Sequence, residues 1–321
     1  MKKVLLAFLF IIMASPFAWS YVSDNAGAVI SNGNIEMGVN QEGHLNTPIS
    51  NDPLGIGYMG LRYVPTGAAS TEPGCQCEGW GAADSLSGAT GYANVSTDGV
   101  VNLTVLSFTQ TASTAVSVVQ VGSTYEVTHD YHPSASANLY EVTVTVKNIS
   151  DSATNLLYRR VMDWDIYPTP FDEYVTISDY SGGNLIRTDT NGFDTANPLN
   201  TFGSYQPGPV VDAGPSDHGA LFDFDFGLLN PGESKTFNTY YGATATESAA
   251  YAALTAVGAQ TYSFAQANVT GGPDLGIPNT FIFAFEGVGL PPVENPVPEP
   301  STLILLGSAL VGLGIARFRK K

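Results

Sequence analysis

Between Tyr140 and Lys147 the side chains alternate without a break. Tyr140, Val142, Val144 and Val146 are apolar, and Glu141, Thr143, Thr145 and Lys147 are polar. A period of two places the sets on opposite faces of an extended chain, so this segment buries one face of a sheet and wets the other. Turn signals punctuate the chain on the same scale. Asn32-Gly33 separates Ala28 to Ile30 from Ile35 to Val39, and Asp98-Gly99 separates Tyr92 to Ser96 from Val100 to Val105. Both dipeptides reach positive φ at low cost and predict tight hairpins. Further strands are expected near 56–64, 114–121, 124–131, 156–166, 174–178, 219–226, 235–241, 260–266 and 280–286, with Asn230-Pro231-Gly232 as the turn before Thr236 to Tyr241. One helix is expected, with Thr244 and Glu247 as a capping box, Ala249, Ala250, Ala253, Leu254 and Val257 as its apolar face, and Gly258 as its stop.

About a dozen strands and one helix predict an all-β fold, a large antiparallel β-sandwich with one short helix near its C-terminal end. Residues 21–288 read as one enlarged domain, because no Pro/Ser-rich linker interrupts 22–288. A repeat of 20–50 residues is not evident, which argues against a solenoid or a propeller.

The two ends differ from this body. Lys2 and Lys3, the apolar run Val4 to Met13 and the small-x-small site Ala18-Trp19-Ser20 predict a signal peptide over 1–20, cut after Ser20. Residues 289–300 form a Pro-rich linker, read as an extended, exposed spacer, that ends in Val297-Pro298-Glu299-Pro300. An apolar span, Thr302 to Ala316, and a basic end of Arg317, Arg319, Lys320 and Lys321 follow. Residues 301–321 therefore predict a C-terminal transmembrane helix with a basic tail. Its 15 apolar-run residues reach only ~22 Å against a hydrocarbon core of ~30 Å. A marginal span of that length suits a segment held briefly for processing better than a permanent anchor, although a plain single-pass anchor stays open. The basic end stays cytoplasmic, which places everything before Val297 outside the inner membrane.

Acidic-proline motif, apolar span and basic end, in that order, resemble the PEP-CTERM sorting signal of Gram-negative bacteria over about the last 25 residues. The resemblance implies an exosortase-type processing enzyme as partner. It also implies a membrane-anchored precursor bound for the cell envelope, surface or extracellular matrix, in association with exopolysaccharide and biofilm formation.

Residues 21–298 hold 28 acidic and 6 basic side chains, a net charge of −22. That balance repels phosphate backbones and anionic lipid, so nucleic-acid binding is excluded as an expectation. It keeps an exported protein soluble and attracts divalent cations. The two cysteines, Cys75 and Cys77, have only each other as partners within the chain, and export to an oxidising compartment predicts a small-loop disulfide. A structural clip is the leading reading, with a redox or metal role as the alternative.

The densest polar cluster is Tyr158 to Tyr167. As a strand it sets Arg159, Val161, Asp163 and Asp165 on one face and Arg160, Met162, Trp164 and Ile166 on the other. Arg159, Asp163 and Asp165 could bind a cation or grip a sugar, or neutralise one another as an ion-pair ladder. Asp172 and Glu173 lie near enough in sequence to add oxygen ligands for calcium, yet no EF-hand loop or Gly-Asp repeat accompanies them. His129 and His132 could hold a metal or serve acid–base chemistry, but a third ligand at a recognisable spacing is missing, so hydrogen-bonded structural histidines are the simpler reading. Phe222, Phe224 and Phe226 read as core, with Asp223 and Asp225 facing solvent. Nucleophile elbows, phosphate loops and His-Glu-x-x-His helices are not found in the sequence, so no catalytic residue and no cofactor is assigned, beyond the weak signal for calcium.

Three functions compete. A non-catalytic surface or matrix protein is favoured. A carbohydrate-binding module would need an exposed platform such as Trp80, Tyr92, Trp164 or Tyr167. A carbohydrate-active enzyme would draw first on His129, His132, Arg159 and Asp163.

Overall fold

The computed structural model describes residues 27–178, 182–200, 209–269 and 279–294. In chain order the elements are β1 (Ala28–Ser31), β2 (Ile35–Val39), β3 (Thr47–Pro48), β4 (Tyr58–Met59), β5 (Leu61–Tyr63), β6 (Ala68–Ala69) and β7 (Gly79–Asp84). Next come β8 (Thr90–Asn94), β9 (Val100–Val101), β10 (Leu103–Gln110), β11 (Ala115–Val121), β12 (Tyr125–Pro133), β13 (Leu139–Asn148) and β14 (Thr154–Trp164). The chain continues through β15 (Glu173–Ile177), β16 (Leu185–Asp189), β17 (Val210–Ser216), β18 (His218–Leu229) and β19 (Ser234–Thr244). It closes with α1 (Glu247–Ala256), β20 (Thr261–Ala267) and β21 (Thr280–Glu286).

Two large antiparallel sheets dominate this all-β protein. One has nine strands in the order β10-β11-β12-β13-β19-β21-β20-β15-β17, and the other six in the order β16-β18-β14-β7-β8-β9. Both hairpins read from Asn-Gly and Asp-Gly are present, joining β1 to β2 and β8 to β9. Along β13 the alternation holds: Tyr140, Val142, Val144 and Val146 are fully buried, while Lys147 is exposed.

The sheets meet across an aromatic core, in a sandwich-like arrangement. Phe222 and Phe224 of β18 lie against Phe285 of β21 at ring-centroid separations of 4.9 and 4.8 Å, and Phe226 lies 4.7 Å from Phe237 of β19. Residues from Ala28 to Leu290 share this one core, including those of the small sheet β1-β2-β5-β6. The other face of β21 is also buried. Ile282 and Ala284 pack with Ala250, Ala253 and Leu254 of α1, which explains why the strand reads as an unbroken apolar run.

The helix starts two residues later than the capping-box reading predicts. Thr246 is the N-cap and its side chain accepts from the Ala249 N–H, while the Thr244 hydroxyl donates to the Thr246 carbonyl at 2.7 Å. Glu247 is thus the first helical residue, where its charge favours the helix dipole instead of closing a reciprocal box. The stop is as expected. Gly258 has φ +66°, its N–H reaches the Thr255 carbonyl and the Ala259 N–H reaches that of Leu254, the two bonds of a Schellman ending.

Asp223 is a correction. Its backbone alternates with the core phenylalanines as expected, but it is buried beneath the 189–200 segment rather than solvated. The Pro-rich segment also begins against the body rather than free of it: Leu290 is buried in the core and the Val293 N–H donates to the Ala259 carbonyl at 2.6 Å. The expected signal peptide with its Ala18 and Ser20 site, the Val297 to Pro300 motif, the transmembrane helix and the basic tail lie outside the described residues. Among those described, no helix is long and apolar enough to cross a membrane.

Candidate functional site

Strand β14 runs through the centre of the six-stranded sheet and carries charge on both faces. Inward, Arg160 meets Glu78, its Nε 2.5 Å from Oε1, and both side chains are fully buried. Glu78 also accepts from the Tyr241 hydroxyl at 2.8 Å and the Leu45 N–H at 2.6 Å, and Arg160 Nη2 donates to the Tyr131 hydroxyl at 3.1 Å and the Gly43 carbonyl at 3.3 Å. These bonds sew the loop around Gly43 into the core. Gly43 has φ +81°, and a Cβ there would lie 2.6 Å from His129 Nδ1.

His129 belongs to this interior. Its Nε2 is 3.1 Å from the Tyr158 hydroxyl and its ring sits 4.6 Å from that of Trp80. Burial, reinforced by the Arg160 charge, pushes His44 down to about 3 and His129 well below its ordinary value, so both are neutral near pH 7. His132, three residues on, faces outward from the nine-stranded sheet, half-buried beside Thr143. The pair therefore cannot share a ligand, because an odd spacing along a strand sends its members to opposite faces.

Outward, Arg159 grips Asp223 with two bonds, Nε to Oδ1 at 2.6 Å and Nη2 to Oδ2 at 2.8 Å. It also donates to the carbonyls of Thr195 at 2.7 Å and Asn200 at 2.9 Å. Arg187 adds Asp189 at 2.8 Å and Asp194 at 3.3 Å. The two arginines thereby clamp the segment 189–200 onto the sheet. The ladder expected between Arg159 and the nearby aspartates is not what forms. Arg159 lies opposite Asp223 in the β14–β18 register, and a directly facing partner is reached before one four residues along the same strand.

Asp163 and Asp165 are left to a separate acidic cluster at the end of β14. Asp217, which precedes β18, joins them because Trp164 pairs with His218 and brings the two strand ends level. One carboxylate oxygen from each of the three lies within 4.8 Å of the others. Glu173 opens β15 beside them, its Oε1 accepting from the Ile166 N–H at 3.1 Å. Asp165 Oδ2 accepts from the Cys75 N–H at 3.0 Å, and Cys75 is disulfide-bonded to Cys77, with Cα atoms 5.0 Å apart. Glycines floor the cluster: a Cβ on Gly192 would lie 2.6 Å from Asp163 Oδ1, and one on Gly74 would collide with the Asp165 carboxylate. The tail of the 171–174 group divides differently from expectation, since Asp172 accepts from Asn268 Nδ2 at 2.7 Å while Glu173 turns to the cluster. Asp217 was not singled out from sequence. Only its position one residue before an Asp163-facing strand end could have pointed to it, and that requires knowing the pairing.

Burial raises every acid here, Asp163 strongly, Asp165 and Asp217 less, and Glu173 up to about 8, and neighbouring carboxylates add to the rise at Asp163, Asp165 and Glu173. In metal-free buffer the folded state then holds protons that the unfolded chain releases near pH 4. Folding stability should fall as pH rises wherever the native state binds the more protons. Below about pH 6.5 the buried neutral histidines act in the opposite sense, because the unfolded chain protonates them. The clean window is therefore pH 6.5 to 8. Thermal midpoints measured there in chelator should decline with pH, and a flat or rising profile would contradict the proton-holding cluster.

Trp80 and Trp164 are both fully buried, Trp164 donating to Ser263 Oγ at 3.2 Å, so neither supplies an aromatic platform. Tyr92 is half-buried against Val161, and Tyr167 is exposed. A family model for the PEP-CTERM protein-sorting motif matches residues 296–320. No curated protein matches the chain. Among solved structures, the chain is similar to a galactose mutarotase related enzyme from Lactobacillus acidophilus at 11% identity and a TM-score of 0.32, over 84% of this chain and 93% of that one. A superposition of that quality says nothing about substrate or site. The tail thus carries a PEP-CTERM protein-sorting motif, and the β-sheet body is not assigned to a family.

Proposed function

We propose that this protein crosses the inner membrane, is held there through its apolar C-terminal span, and is processed by an exosortase-type enzyme at Val297 to Pro300. Its β-rich body then serves as a non-catalytic component of the cell surface or extracellular matrix, in company with exopolysaccharide. The sorting motif at residues 296–320 carries the reading, since its three parts have no place in a globular core. The arrangement of the body supports the non-catalytic part. Arg159 is committed to Asp223 and two carbonyls, His129 is sealed beside Trp80, and the two buried tryptophans cannot stack on a sugar. A net charge of −22 over 21–298 keeps such a body hydrated and dispersed in a polysaccharide matrix.

Mass spectrometry of the native protein tests the processing. The mature chain is expected to end near Pro300 in cells with the processing enzyme and to run on to Lys321 when Val297 to Pro300 are replaced by alanines. A native C-terminus at Lys321 in the unaltered protein would refute it. A glycan array separates a matrix scaffold from a sugar-binding module, the scaffold giving no saturable signal.

A further inference from the structure

Four carboxylates meet at the end of β14, and no lysine or arginine among the described residues forms an ion pair with any of them. Asp163 is 0% exposed and neither of its carboxylate oxygens has a hydrogen-bond partner. Asp165 Oδ1 and Glu173 Oε2 are likewise buried and unpartnered. Buried polar groups are satisfied in the great majority of cases, so several orphaned acceptors around one point indicate something that accepts their lone pairs. We propose that Asp163, Asp165 and Asp217, with Glu173 beside them, form a binding site for a calcium ion.

The spacing suits that ion. Oxygens bound to one Ca2+ at about 2.3–2.6 Å lie at most about 4.6–5.2 Å apart, and the three aspartate oxygens fall within 4.8 Å of one another. An all-oxygen donor set selects a hard cation over zinc or copper. Calcium tolerates irregular carboxylate geometry where magnesium demands a near-regular octahedron and keeps its waters. Asp217 is exposed and gives the ion a way in, while Asp163 and Asp165 close the inner side. Among the described residues, the half-buried His218 lies next to Asp217. The ion would tie together the end of β14, the start of β15, the turn into β18 and, through the Cys75 N–H on Asp165, the disulfide loop.

The exported protein, purified and stripped with EGTA, can be titrated calorimetrically with CaCl2 and unfolded thermally with and without 5 mM CaCl2. One ion per chain is expected, with a Kd of roughly 10⁻⁴–10⁻³ M as in extracellular calcium modules, and a raised unfolding midpoint. Asp217→Asn, at an exposed position that leaves the fold intact, should weaken binding about tenfold or more, and Asp163→Asn should remove the calcium shift. Asp130→Asn, on another strand, should leave both unchanged. The assignment is overturned if 5 mM CaCl2 gives neither heat nor midpoint shift, if the shift survives Asp217→Asn undiminished, or if MgCl2 matches CaCl2.

Discussion

Glu78→Ala is expected to destabilise the protein by about 3–5 kcal/mol, the cost of leaving one partner of a buried ion pair uncompensated. Arg160 would keep only its bonds to Tyr131 and Gly43, in a site with no solvent to replace the carboxylate. The Leu45 N–H would lose its acceptor and the Tyr241 hydroxyl its carboxylate, so three donors are orphaned by one substitution. The loop around Gly43 loses its tie through the Leu45 N–H but stays held by Trp80 Nε1–H on the Glu42 carbonyl and by the Tyr131 hydroxyl on the Gly43 carbonyl. Equilibrium denaturation in urea reads the effect as a lowered midpoint with the slope preserved. A loss below about 1 kcal/mol would mean that the Glu78–Arg160 pair contributes no more than an exposed salt bridge.

Asp223→Ala should have a comparable effect by a different route. It removes both bonds of a bidentate pair and leaves Arg159 and Arg187 facing each other across Asp194, 3.9 and 3.3 Å from its carboxylate. About 3–5 kcal/mol is again the expected scale for an unpaired buried guanidinium. The local signature differs. The segment 189–200 is held to the sheet through Arg159 and Arg187, so limited proteolysis should cut it in the variant well before the rest of the body unfolds. Equal protection of that segment in both proteins would show that it is fastened by other means.

Much of the secondary structure could be read from residue order, because its causes are local. The β13 alternation, the Asn-Gly and Asp-Gly hairpins, the phenylalanine row of β18 and the Gly258 helix stop each depend on neighbours within a few positions. Strand β7 escaped notice since Gly79-Trp-Gly-Ala-Ala-Asp84 has no alternation to detect. All six of its residues are buried, with Trp80 and Ala82 in the main core. β16 and β17 were missed as well, and each pairs with its neighbour through register shifts instead of a regular ladder.

The candidate site divides along the same line. Arg159 and Asp163 do share a face of β14, as period two requires, with Asp165 just past the strand's end, and the tail declares its sorting role without any fold at all. What period two does not encode is which strand lies alongside. Pairing with β18 hands Arg159 to Asp223 and brings Asp217 to Asp163, and packing of the second sheet encloses His129 while leaving His132 outside. The face of a residue follows from backbone geometry one link away, whereas its partners come from chain segments dozens of positions distant, chosen by the collective burial of the core.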